Sequence, residues 1–196
     1  ALYKIGPQVF LNDHLCHSCN LCQVVCPADA ISYQQVKIGE IRCGYSARTA
    51  AKVTIGDLQI GSTRTTALIQ QVTYQINRNQ RAIIDGPPGN SCAAVAAIQP
   101  ADLVVLVIEP TPFGIHDMLQ TLQIVQELNK PILAIANKSL GDEQLIPLLK
   151  ERGIQLATSL PLQSGYHQAL LKGEILSRTD PAVFQNLKQA VAGKVG

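Results

Sequence analysis

Four cysteines stand within eleven residues near the amino end, as Cys16-His17-Ser18-Cys19-Asn20-Leu21-Cys22-Gln23-Val24-Val25-Cys26, and Pro27 follows the last of them. Three thiols recurring every third residue can be turned by one tight loop toward a single small object. With the fourth before a proline they make the C-x2-C-x2-C-x3-C-P layout by which thiolates hold a 4Fe-4S cubane. A structural zinc site also uses Cys-x2-Cys units, but takes two pairs separated by a longer loop. Disulfides belong to exported chains, and the opening Ala1-Leu2-Tyr3-Lys4-Ile5-Gly6-Pro7 has no signal-peptide layout. The expectation is a set of reduced, metal-committed cysteines in a soluble, cytoplasmic protein.

In two-cluster ferredoxins the cysteine before the proline serves the other cluster. By that rule Cys16, Cys19 and Cys22 ligate one cluster and Cys26 points elsewhere. Only one such run is present. Either Cys26 folds back, or Cys43 or Cys92 substitutes, or the remaining thiolate lies on sequence outside this chain, which is the favoured reading. Cys43, in Arg42-Cys43-Gly44, is the better stand-in, whereas Cys92 reads as a small buried packing residue. His14 and His17 match no Rieske spacing and read as polar surface residues. After the proline, Ala28-Asp29-Ala30-Ile31-Ser32-Tyr33 resembles the bacterial-ferredoxin continuation, in which a turn leads into a short strand.

The chain has 196 residues, 46% hydrophobic and 15% charged, enough for one core and a small appendage. A net charge of +2, with no cluster of Lys or Arg among aromatics, argues against nucleic acid as a partner. No apolar run approaches the roughly 18 residues of a membrane span; Leu103 to Ile108 is short and stops at Glu109-Pro110.

From about residue 81, β-rich runs alternate with helical stretches, the pattern of a parallel α/β sheet. The candidate strands are Arg81 to Asp85, Leu103 to Ile108, Ile132 to Ala136 and Ile154 to Ala157. Ile115, Met118, Leu119, Leu122, Val125 and Leu128 recur at helical spacing and form a core stripe. Further helices are expected over Asp142 to Arg152, closed by Gly153 with Pro147 as a complication, and from Asp180-Pro181 to near Gly193. Thr63 to Gln80 places Leu68, Ile69, Val72 and Ile76 on one face of a helix at the expected domain junction.

Asp85-Gly86-Pro87-Pro88-Gly89 follows an apolar run directly. An acid at a strand's carboxyl end is where open α/β sheets place ligand chemistry, and a carboxylate there can hold magnesium while Gly89 offers a backbone N–H to phosphate. A plain strand-to-loop turn is the other reading. Here the chain resembles the MinD/ParA-type, Mrp-like P-loop ATPases that carry an inserted 4Fe-4S ferredoxin domain. The resemblance runs from the cysteine segment to Gln168 and is closest from Ala82-Ile83-Ile84-Asp85 through Ala136-Asn137-Lys138. It implies Asp85 as the catalytic, magnesium-organising acid, Gly89 as phosphate sensor, Asn137 as the adenine-binding residue, and Leu160-Pro161-Leu162, with Pro161 at its centre, as base-pocket wall. It implies ATP or ADP with magnesium as cofactor beside the 4Fe-4S cluster. As partners it implies a second copy or a related ATPase subunit, with an Fe-S acceptor or redox partner.

The Walker A signature G-x4-G-K-[ST] is missing. Gly56-Asp57-Leu58-Gln59-Ile60-Gly61-Ser62-Thr63 imitates its glycine spacing without the lysine and reads as chance spacing between strands. The expected fold is therefore α/β: an incomplete, parallel-sheet P-loop NTPase-like domain over 46–196 with a small ferredoxin-like segment over 1–45. The whole resembles the carboxyl-terminal two-thirds of such a protein. Two functions compete: coupling of ATP binding and hydrolysis to electron transfer or cluster handling, and a non-hydrolysing electron-transfer or Fe-S carrier module on an α/β scaffold.

Overall fold

Alternating residues on either side of Gly6-Pro7 form the first hairpin, β1 (Leu2–Ile5) and β2 (Gln8–Leu11), in a computed structural model that describes residues 1–141 and 143–194. Gly6 takes φ +60°, which suits the first central position of a two-residue hairpin turn. The register Tyr3↔Phe10 stacks the two rings with centroids 5.7 Å apart. A 3-10 turn (Asp13–Leu15) and the short α1 (Leu21–Val24) carry the cysteine run. Antiparallel β3 (Gly39–Tyr45) and β4 (Lys52–Leu58) follow, then α2 (Thr65–Thr73).

Gly56 lies within β4, and a Cβ there would come 2.7 Å from the Val72 Cγ2 of α2 and 3.1 Å from the Leu68 Cγ. The glycine is therefore needed for close helix-on-strand packing, the structural reading of a spacing that imitates a phosphate loop. Contacts divide the chain into two compact units, Ala1–Gly86 and Pro87–Gly196. The boundary expected after residue 45 falls inside the β3–β4 hairpin. The expected Thr63 to Gln80 helix is realised as the shorter α2, capped by Tyr74.

In the second unit Ser91 caps α3 (Cys92–Ile98), its side chain accepting from the Ala94 N–H at 3.3 Å. A parallel sheet of order β5-β6-β7 is built from Val104–Ile108, Ile132–Ser139 and Gln155–Pro161. These are three of the four expected strands. The fourth, Arg81 to Asp85, is not a strand: the segment has no ladder partner and Ile83 is 99% exposed. An apolar run becomes a strand only when a neighbour takes its backbone hydrogen bonds and side chains.

The core stripe is α4 (Pro112–Glu127), with Met118, Leu122 and Val125 buried and Leu128 at the C-cap. Thr111 accepts from the Gly114 N–H at 3.1 Å, and Pro112 takes the first position, where a missing N–H costs nothing. Met118 and Leu122 pack with Leu106, Ile108, Ala134 and Ala136 of the sheet and with Leu145 and Leu149 of α5 (Leu145–Glu151). Pro147 sits in the first turn of α5, where its N–H would have no intrahelical partner, and so shortens the expected helix rather than breaking it. Gly153 closes the segment at φ +66°; Asp142 lies outside the described residues. Leu133 and Ile135 point to the opposite face of β6 and are buried too, so β6 is covered on both sides, as parallel strands are.

The chain ends with α6 (Ser164–Leu171), α7 (Leu176–Thr179) and α8 (Pro181–Ala192), the last matching its expected limits. The Tyr166 hydroxyl of α6 donates to Asp180 Oδ2 at 2.6 Å, while Asp180 Oδ1 accepts from the Val183 N–H at 3.4 Å and caps α8. The hydrogen bond to Asp180, with burial and the carboxylate's charge adding to it, pushes the Tyr166 phenol up to about 12. Its folded value exceeds the unfolded one of about 10. The bond therefore contributes fully below pH ~10 and is lost as the phenol ionises toward pH ~12. Tyr166→Phe is expected to lower stability by about 1 kcal/mol at neutral pH. In urea melts across pH, its gap from the parent chain should narrow only above pH ~10.

Among the described residues no helix is long and apolar enough to cross a membrane.

Candidate metal centre

Each thiol of the run stands on a different local structure. Asn12 starts the 3-10 turn by accepting the His14 N–H at 3.1 Å, and Cys16 ends it, its N–H donating to the Asp13 carbonyl at 3.1 Å. Cys19 lies between Ser18 (φ +57°) and Asn20 (φ +60°), two left-handed residues that turn the loop sharply. Cys22 is carried by α1, and Cys26 follows it, its N–H donating to the Gln23 carbonyl at 3.2 Å. A second left-handed turn at Asp29 (φ +47°) brings the Ala30 N–H to 3.4 Å from Cys26 Sγ.

That N–H and then that of Ala28 hold the Cys26 thiol below the usual cysteine value, against an opposing effect of burial, with the Asp29 N–H adding least. Backbone dipoles aimed at sulfur favour the thiolate, the form that binds metal. Cys16, Cys22 and Cys26 are half-buried, Cys19 is exposed, and all four are free thiols. Among the described residues no three His, Cys, Asp or Glu side chains converge as a single ion would require. A cubane instead takes its thiolates at separate iron corners, and a donor set of four free thiols on one short segment fits that group chemically.

His14 and His17 are exposed, as expected of surface residues. Cys43 sits on β3 opposite Thr54, with Sγ 3.7 Å from Oγ1. Cys92, expected buried, is exposed in the first turn of α3, because that helix buries Ala94, Ala96 and Ala97 instead.

Two residues that carry no motif engage the cysteine loop. Thr63 Oγ1 donates to the His14 carbonyl at 2.9 Å and lies 3.5 Å from that of Cys16. Arg64 Nε donates to Ser18 Oγ at 3.0 Å, and its terminal nitrogen pairs with the Asp13 carboxylate. Nothing in their spacing announces this, since they lie more than forty residues from their partners.

The residues expected to handle nucleotide are distributed differently. Asp85 is exposed on coil at the end of the first unit. Gly89 takes φ +80°, and its carbonyl accepts from Thr121 Oγ1 at 3.3 Å. Asn137 on β6 and Pro161 on β7 do lie at the carboxyl edge of the parallel sheet, where the Leu162 N–H donates to the Ser139 carbonyl at 2.9 Å. Beside Asn137, Lys138 pairs with Glu109 at 2.5 Å.

Comparison with known proteins bears on the cysteine segment first. The family model of the 4Fe-4S binding domain matches residues 9–32. Uncharacterized protein MJ0579 of Methanocaldococcus jannaschii is 28% identical over 141 residues, covering 70% of this chain and 50% of that protein. Uncharacterized protein MJ0578 of the same organism is 27% identical over 154 residues, covering 65% of this chain and 55% of that protein. The chain thus spans about half the length of the curated relatives it matches. It joins a 4Fe-4S binding segment to a mixed α/β unit with a three-stranded parallel sheet.

Proposed function

We propose that this chain is an electron-transfer or cluster-handling module. Cys16, Cys19 and Cys22 bind iron at three corners of one 4Fe-4S cubane, and Cys26 is also an iron ligand. The observation that carries the reading is the four-thiol loop of residues 16–26, three of its thiols half-buried and Cys26 acidified by backbone N–H groups. When bound, the cluster supplies one-electron chemistry. The chain's part is to supply thiolates, aim N–H groups at sulfur and orient the loop. Its partner is a redox protein or an apo-protein that accepts the cluster, in the reducing cytoplasm that keeps such thiols free.

The test is anaerobic reconstitution of the full chain with iron and sulfide, followed by metal and sulfide analysis and EPR of the dithionite-reduced protein. A cubane signal with matching iron and sulfide supports the reading; a chain that binds neither overturns it. Reversible reduction without loss to an apo-protein acceptor indicates electron transfer; stoichiometric transfer indicates a carrier.

A second reading, ATP coupling of the MinD/ParA type, is favoured by Asn137 and Pro161 standing on adjacent strands at the sheet's carboxyl edge, where open α/β sheets bind ligands. In it Asn137 and Pro161 meet the base and Gly89 senses phosphate, and the resemblance to that family implies Asp85 as the magnesium-organising acid and residues 46–196 as the nucleotide-binding part. A second copy or a related ATPase subunit supplies the phosphate loop. Magnesium-dependent ATP turnover lost in Asp85→Asn supports it; the absence of nucleotide binding, alone or mixed with such a subunit, removes it.

A further inference from the structure

Arg64 contacts the cysteine loop on both sides of Cys16: Asp13 precedes it, and Ser18 follows it. Its side chain is 13% exposed, whereas that of its partner Asp13 is 66% exposed. The guanidinium is thus held in place while much of its counter-charge is weakened by water. The fork is fixed by Nε on Ser18 Oγ at 3.0 Å, by a terminal nitrogen on the Asp13 carboxylate, and by a longer 3.5 Å contact to the Asp13 carbonyl. Thr63, one residue earlier, donates to the His14 carbonyl at 2.9 Å. Both residues stand where α2 begins, Arg64 at its N-cap.

We propose that Arg64 is a positioning and potential-setting residue for the cluster of the cysteine loop, holding residues 13–18 in their ligating turn and raising the cluster's reduction potential. The inference rests on the cluster reading above. Reduction adds one electron and, with no proton taken up, one negative charge to the cluster. A fixed cation beside Cys16 stabilises that charge more than it stabilises the oxidised state. An ion pair that merely pins the loop would alter cluster loading and leave the potential of loaded protein unchanged.

The test is an EPR-monitored potentiometric titration, with dithionite as reductant, of the full reconstituted chain and its variants. Arg64→Gln, matched to the parent in iron and sulfide, is expected to make reduction about tenfold less favourable, a downward shift of about 59 mV for a one-electron couple. Arg64→Lys keeps the charge and is expected to recover most of that shift. An Arg64→Gln chain with full cluster content and the parent's midpoint overturns the proposal. Where Arg64→Gln holds no cluster, Asp13→Asn supplies the measurement. It keeps the guanidinium and removes its counter-charge, so the midpoint should rise; an unchanged or lower midpoint overturns the proposal. A parent chain that binds no iron and sulfide overturns the cluster reading itself, an outcome distinct from a loaded chain indifferent to residue 64.

Discussion

Cys22→Ala is expected to abolish the cubane, with iron and sulfide falling to background after reconstitution and the reduced-state EPR signal disappearing. Cys22 is half-buried on α1, in the middle of the segment that matches the 4Fe-4S binding domain. Alanine leaves one iron corner without a thiolate. A surviving three-iron signal would indicate that the remaining thiolates still hold a partial cluster, and a full cubane would remove Cys22 from the ligand set. Cys26→Ala is expected to lose iron as well. Cys43→Ala is expected to leave iron content unchanged, since Cys43 faces Thr54 across the β3–β4 hairpin. Should Cys43→Ala lose iron and Cys26→Ala keep it, the fourth ligand would be Cys43.

Leu133→Ala is expected to cost about 3 kcal/mol, within the usual range for deleting a buried leucine. Leu133 is fully buried on β6, the central strand, opposite Val105 on one neighbour and Gln155 on the other. The cavity opens between covered layers that cannot collapse without distorting two ladders. At a urea slope of about 2 kcal/mol/M the unfolding midpoint should drop by about 1.5 M. Val107→Ala, at a position 63% exposed on β5, is the control and should change stability by less than about 0.5 kcal/mol. Equal effects at the two positions would mean that the burial of β6 is wrongly assigned.

Strands β5, β6 and β7 were legible as short apolar runs alternating with helical stretches, β5 being β-branched at four of its five positions. Helices α4 and α8 were legible from a 3.6-residue stripe and from Asp180-Pro181 at a start. The cysteine spacing was legible for the same reason: its chemistry is local, and a loop of eleven residues can satisfy it alone. Arg81 to Asp85 misled because its apolar residues resemble a strand while strand formation depends on a neighbour that sequence does not display. Gly56 shows the reverse, a spacing suggestive of phosphate binding that packing against Val72 and Leu68 explains.

The sequence by itself determined the four thiols, their ferredoxin-like order and the parallel α/β character of the second unit, since these follow from spacing and periodicity over short windows. Only the tertiary structure decided that Thr63 and Arg64 return to the loop at His14, Asp13 and Ser18, that Cys92 faces outward, and that Asn137 and Pro161 share a sheet edge. Contacts between distant residues are selected by the shape of the folded chain, and hydrogen-bonding side chains carry no periodicity that reveals their partners in advance.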